Sequence, residues 1–331
     1  MRQTAFLTFG VLILSTAAFA ADPQLMNMVM PDAKILAGVN ATNTRISPLG
    51  LFVISRVAML GAEQKFIAAT GFDPLQDVSE VLAATNADNS TANVKPASLL
   101  LVRGNFDVTK IVAAAGSGPK VQVTTYDGAT LLSVTDAKTN ETHALAFIGN
   151  SIAVAGELAS VEAAVARNSA PGAAIDPALA AQVSQLSASE DEWLASSISV
   201  ASLIPTDAPA PTGPAAQVLP ILKNILSFSG GVNFNANVQV TGQAVASDAQ
   251  NAAALGAVIK LAANLIGSLS TGKNPEVAQL VQWLQTLQVT TSGSDVNLTL
   301  SIPETQVEAL LNEALKPAMP AAGARRRDLA R

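Results

Sequence analysis

Three stretches of the chain, residues 143–167, 232–269 and 288–315, run through one order: alternating apolar runs about a turn, then an apolar stripe at helical spacing. Alternation at every second residue suits a strand with one buried face, and recurrence at three and four residues suits a helix with one buried face. Strands joined by a short turn lie antiparallel. A chain assembled from such units is restricted to antiparallel sheet with helices laid on it. The predicted fold class is therefore α+β, as two related subdomains, each an antiparallel sheet built from hairpin–helix units with helices packed on one face.

Other segments fill in this plan. Residues 33–39 read as a strand and 48–60 as a helix. Asp73-Pro74 reads as a helix start, with Asp73 at the N-cap, Pro74 first in the helix, and Leu75, Val78, Val81 and Leu82 on its inner face. Residues 98–102 read as a strand, and Phe106-Asp107 opens a helix through Ala115. Gly71-Phe72-Asp73 and Asn105-Phe106-Asp107 look alike, which shared strand-to-helix turn chemistry explains. Asp127-Gly128 and Gly149-Asn150 mark hairpin turns. Helices are expected at 157–167 and 178–186, and Ser189 to Glu192 has the spacing of a capping box. Residues 232–240 (VNFNANVQV) alternate without a break as one strand, with 241–246 continuing the sheet. Ser247-Asp248 caps a helix reaching about residue 269, whose apolar part from Ala252 reads as buried despite Lys260 and Asn264. Further helices are expected at 276–287, holding Trp283 in the core or at an interface, and from Pro303-Glu304 onward.

The ends and the middle differ in character. Residues 1–20 have the plan of a signal peptide: Arg2, a short apolar core, then Ala18-Phe19-Ala20, so cleavage is expected before Ala21. That core is too short for a stable membrane span. Residues 21–204 form the expected first subdomain, the proline-rich 205–220 a connector, 221–316 the second subdomain, and 317–331 a disordered tail carrying Arg325, Arg326, Arg327 and Arg331.

Hydrophobic residues make up 49% of the chain but aromatics only 4%, so the cores should be built of small and branched aliphatics. With no cysteine, disulfides, thiolate metal sites, thiol catalysis and lipid attachment through a cysteine are excluded. A net charge of −6 argues against a nucleic-acid partner, which calls for a basic patch.

Catalytic signals are weak. His143 is the single histidine, expected on an edge strand, and no G-x-S-x-G elbow accompanies it. Asp73, Asp77 and Glu80 would share one helix face, which reads as solvated, and the consecutive Glu190, Asp191 and Glu192 cannot converge on one point. Gly116-Ser117-Gly118 lacks the spacing of a phosphate loop. Trp193, Trp283 and Tyr126 stand apart, so no aromatic platform is expected. No residue is assigned a catalytic, cofactor-binding or metal-binding role.

The signal segment, Gly71-Phe72-Asp73-Pro74, Arg103-Gly104-Asn105-Phe106-Asp107, and Ile148-Gly149-Asn150-Ser151-Ile152-Ala153-Val154-Ala155 followed by a helix at Val161 resemble those of uncharacterised bacterial exported α+β repeat proteins. The resemblance covers about half the chain and is structural, so it implies export and fold but no activity. The leading functional expectation is a periplasmic or secreted non-enzymatic binding protein or envelope-associated scaffold. A carrier of an apolar ligand such as a lipid, and a hydrolase with an unrecognised site, are the alternatives.

Overall fold

Hairpins account for most of the sheet, and their glycines show why. The Asp127-Gly128 turn has both residues at positive φ (45° and 80°), the backbone a two-residue hairpin requires. It joins β4 (Gln122–Tyr126) to β5 (Ala129–Thr135), and Gly149 at φ 56° likewise joins β6 (Thr142–Ile148) to β7 (Ile152–Glu157). The computed structural model describes residues 21–57, 63–87, 96–116, 120–170, 172–203, 214–269 and 275–314. The expected signal peptide, the expected disordered tail and most of the expected connector lie outside the described residues.

Ahead of these hairpins come α1 (Pro23–Met28), β1 (Ile35–Val39), α2 (Ala41–Ile46), α3 (Pro48–Val57), α4 (Glu63–Thr70), α5 (Pro74–Asp77), β2 (Val78–Thr85), β3 (Ser98–Gly104) and α6 (Val108–Gly116). After them come α7 (Leu158–Ser169), α8 (Pro177–Ser189), β8 (Glu192–Ser196), α9 (Pro214–Leu222), β9 (Ile225–Phe234), β10 (Asn237–Ala246), α10 (Ala249–Leu269), α11 (Pro275–Leu284), β11 (Gln288–Ser292), β12 (Asp295–Pro303) and α12 (Glu304–Ala314). Each of the three repeated segments is a hairpin followed by a helix.

The twelve strands of the described residues join edge to edge in one antiparallel sheet, in the order β11-β12-β10-β9-β8-β1-β2-β3-β7-β6-β5-β4. The α+β class and its antiparallel hairpin construction hold. The two strand groups expected as separate sheets are halves of this one, because β8 pairs with β1 on one side and β9 on the other. Pro214 to Pro220, expected in an extended connector, lie within α9.

Alternation divides the core by face. Leu82, Leu101, Ala146 and Val154 point to one face, where they bury against Leu25 and Met28 of α1, Val161 and Val165 of α7, and Leu179 and Val183 of α8. Leu132, Phe147 and Ala153, one residue out of phase, pack with Phe106, Val102, Ile111 and Val112 on the other. In the C-terminal half, α10 packs through Ala252 and Leu255 on Ile225, Ala246, Val289 and Val296. As expected, the largest cluster is almost wholly aliphatic.

Several expectations are corrected. Residues 78–85 form β2 instead of continuing the helix that starts at Pro74. The apolar positions 78, 81 and 82 suit either element, and pairing with β1 and β3 decides for the strand. Asp73 does cap α5, accepting from the Leu75 amide at 2.9 Å. Ser189 to Glu192 is no capping box: Ser189 ends α8 and Glu192 begins β8. Residues 232–240 contain the turn of the β9–β10 hairpin, at Asn235-Ala236. Val238 pairs with Phe234, so the turn keeps the alternation in phase and hides itself from the pattern. Finally, α10 is largely exposed, with Leu261 67% and Leu265 58% accessible, and only 17% of its 18-residue apolar window is buried.

Asp176 caps α8, accepting from the Ala178 and Leu179 amides at 2.9 and 3.0 Å, with Pro177 first in the helix. Asp176→Ala should cost about 1 kcal/mol in a urea titration, whereas Asp176→Ser should cost much less because serine keeps an acceptor.

Candidate functional site

Four phenylalanines converge where α4, α6 and the strand-to-helix turns lie over the sheet. Phe66 meets Phe72 edge-on at 6.3 Å, Phe72 meets Phe106 at 5.1 Å, and Phe106 meets Phe147 at 5.4 Å. Such offset and edge-on contacts are the favoured geometries of aromatic rings. Phe72 and Phe106 come from the two look-alike turns, whose similarity thus has a packing consequence besides its capping chemistry.

These rings line a cavity of about 570 Å³ whose floor is β2, β3, β6 and β7, through Val81, Leu100, Leu145 and Ala153 among others. Ala69 of α4 and Ala114 and Ala115 of α6 roof it with small side chains. Among the described residues Thr70 is the single polar member of the lining, and its hydroxyl already donates to the Phe66 carbonyl at 2.8 Å. Among the described residues the lining therefore offers no unspent side-chain donor, and the surface it presents is apolar. The volume falls within the roughly 300–1,000 Å³ range of small-molecule pockets.

A neighbouring cavity of about 260 Å³ lies by α2, α3 and α5, lined by Val39, Leu49, Val53, Leu75 and Phe234 with Arg45 and Glu192. Arg45 ties α2 to α5, donating to the carbonyls of Leu75, Gln76 and Val78 at 3.1, 2.8 and 3.3 Å. Burial first, and the Asp191 charge second, push the Glu192 carboxyl up from its ordinary value. Folding therefore favours protonated Glu192. That contribution is complete below the unfolded carboxyl's pKa and is lost as pH rises through the higher folded one. Glu192→Gln should consequently gain stability relative to the parent as pH rises above the unfolded carboxyl's value of about 4.3, read as the difference in urea midpoints.

A polar pocket of about 240 Å³ surrounds the start of the described chain. The Ala21 nitrogen donates to Ser187 Oγ at 2.9 Å, and the Asp22 nitrogen to both Glu80 oxygens at 3.0 and 3.3 Å. Asp22 also pairs with Arg103 at 2.7 Å and caps α1 through the Gln24 and Leu25 amides. Burial holds the Glu80 carboxyl above its ordinary value.

The acidic trio does not share a helix face: Asp77 accepts from the Asp73 amide at 2.7 Å, and Glu80 stands on β2 facing Asp22. Glu190, Asp191 and Glu192 diverge as expected, to Thr241, the Phe234 amide and the α3 cavity respectively. His143 lies on β6, an interior strand and not an edge, with its side chain exposed and 3.9 Å from Glu141. Trp193 is buried in the large core, and Trp283 packs at the sheet's other half, donating to Gln306. Among the described residues no group of three or more His, Asp or Glu is placed to hold a metal ion. Sequence reasoning missed the cavity because its aromatic members are phenylalanines scattered over some eighty residues of chain. The paired turns at Phe72 and Phe106 were the one signal that could have joined them.

Comparison with known proteins finds no matching family model and no matching curated protein. Among solved structures, crystal form IV of TP0453 aligns with a TM-score of 0.50 at 8% identity, covering 86% of this chain and 95% of that one. Crystal form I aligns at 0.46 and 10% identity, covering 87% and 96%. At these identities the similarity to form IV speaks to the fold alone.

Proposed function

We propose that the chain is exported and, freed of residues 1–20, works as a non-enzymatic binding protein that holds an apolar ligand such as a lipid acyl chain. The open pocket between α4 and α6 carries this reading, because its aliphatic and phenyl lining is partly in contact with water and an apolar occupant would cover it. Titration with the fluorescent fatty acid cis-parinaric acid tests it. Saturable enhancement with a dissociation constant of about micromolar order is expected, and no enhancement at all counts against it.

Export is supported by the signal-like order of residues 1–20 and by the setting of Ala21. Cleavage before Ala21 turns its amide into an ammonium one residue from Glu80, in a pocket already supplying Ser187 Oγ as acceptor. A chain beginning at Ala21 should be more stable than one preceded by Gly-Ser, by on the order of 1 kcal/mol, since the extension replaces a charge-assisted hydrogen bond with a neutral one. Thermal melts of the two proteins check this. Mass spectrometry of the full-length product made in a bacterial host should give a chain starting at Ala21, and retention of Met1 would contradict export.

A further inference from the structure

The sheet ends at β4 on one side and at β11 on the other, and both edge strands begin Gln-Val-Thr-Thr, at 122–125 and 288–291. Each runs into a two-residue turn, Asp127-Gly128 or Gly293-Ser294. Their surroundings differ. On β11, Val289 is 8% accessible beneath α10, and a Cβ at Gly256 of that helix would stand 2.9 Å from Thr291 Cγ2. On β4, Gln122, Val123, Thr124 and Thr125 are all exposed.

Register decides which backbone groups of β4 face outward. Tyr126 and Ala129 flank the turn and form a hydrogen-bonded pair, so by alternation Thr124 and Gln122 also bond to β5. The N–H and C=O groups of Val123 and Thr125 therefore point away from the sheet. Exposed edges are ordinarily blunted by charge, proline or a bulge. Within β4 there is no charged residue and no proline, and its pairing with β5 carries no register shift. Its Val-Thr-Thr run suits a further strand.

A second copy fits this edge by symmetry. Two β4 strands related by a two-fold axis at Thr124 run antiparallel and set Val123 opposite Thr125 of the second copy. Each such pair exchanges both of its N–H···O bonds. The same register carries Lys120 to the second copy's Asp127-Gly128 turn, where Asp127 supplies the opposite charge, and the symmetry repeats the contact. Neither Lys120 nor Asp127 has an ion pair among the described residues. Pairing β4 with β11 in the equivalent register would instead set Asp127 opposite Leu287, at an edge that α10 already flanks.

We infer that the protein forms a two-fold dimer through β4, continuing its antiparallel sheet into a second copy. The contact is isologous and closes on itself, so association stops at two chains. It is independent of the apolar-ligand reading.

Sedimentation equilibrium of the protein beginning at Ala21 tests this. The mass should rise from monomer to dimer with a dissociation constant of roughly 10–100 μM, the weak end expected of so short a strand contact. At concentrations where the dimer forms, amide hydrogen exchange should slow at Val123 and Thr125 and stay unchanged at Val289 and Thr291. Thr125→Pro removes an outward N–H and no bond to β5, so it should weaken dimerisation at least about tenfold. Lys120→Glu, at an exposed position outside the core clusters, sets a like charge beside Asp127 and should weaken it about threefold or more. That variant decides the matter should the proline protein fold poorly. A protein that stays monomeric up to about 1 mM overturns the inference. Growth past the dimer, slowed exchange at β11, or a dimer indifferent to both variants overturns it equally.

Discussion

Placing phenylalanine at Ala153 should cut apolar-ligand uptake at least about tenfold and leave the protein folded. Ala153 stands on β7 with its methyl group in the cavity floor, 6% accessible, among Phe106, Leu132 and Phe147. A phenyl group added there can project into an open pocket of about 570 Å³, so the usual 1–3 kcal/mol cost of overpacking a dense core should be largely avoided. The melting temperature should stay close to the parent's, because the ring lies along apolar lining without displacing packed atoms. Ligand affinity should fall at least about tenfold, because the added ring takes the ligand's contacts. A variant that melts normally and still binds cis-parinaric acid like the parent would move the ligand out of this cavity. Ala153→Ser, nearly isosteric, separates volume from sequence change and should bind almost normally.

The second large effect is structural. Gly38 of β1 pairs with Trp193 of β8, and a Cβ at Gly38 would overlap the indole ring. The indole is 7% accessible and belongs to the large core, so displacing it disturbs that packing. Gly38→Val should therefore cost about 2–3 kcal/mol or more, seen as a lower urea midpoint. The strain falls on β8, whose other edge makes the pairing with β9 that joins the two strand groups. Because that pairing is continuous hydrogen-bonded strand, the parent should unfold in one transition and the variant's whole transition should move together. Two separated transitions in the parent would mean that the halves fold independently, as the expectation of two subdomains implies.

How much of this was legible in the sequence depends on the range of the interaction. Local chemistry read well: the caps at Asp73 and Asp248, the Asp127-Gly128 turn and the inward stripe of α7 all rest on residues within a few positions of one another. Where local pattern allowed two answers, partners elsewhere in the chain chose. Val78, Val81 and Leu82 suit helix or strand, and β1 and β3 make them strand. Asn235-Ala236 is a turn that leaves alternation undisturbed, so only the pairing of Val238 with Phe234 exposes it. The union of the two strand groups was invisible for the same reason, since nothing within β8 says that it has a neighbour on both sides.

The candidate sites were less legible still. Apolar content alone cannot distinguish a packed core from a lined void, and the side chains around the cavity come from six separate elements. The absence of a histidine or cysteine constellation turned attention from catalysis, yet it offered no hint of what the chain binds. The expected burial of α10 failed because hydropathy records composition, whereas accessibility depends on what lies opposite Leu261 and Leu265.

Native mass spectrometry of the protein purified without detergent, from cells expressing the full-length chain, tests the central claim most directly. A recurrent adduct of lipid mass, released by organic extraction and absent from Ala153→Phe, is the expected result. A clean unliganded mass together with failure to take up added fatty acid, or an adduct carried equally by the Ala153→Phe protein, would contradict it.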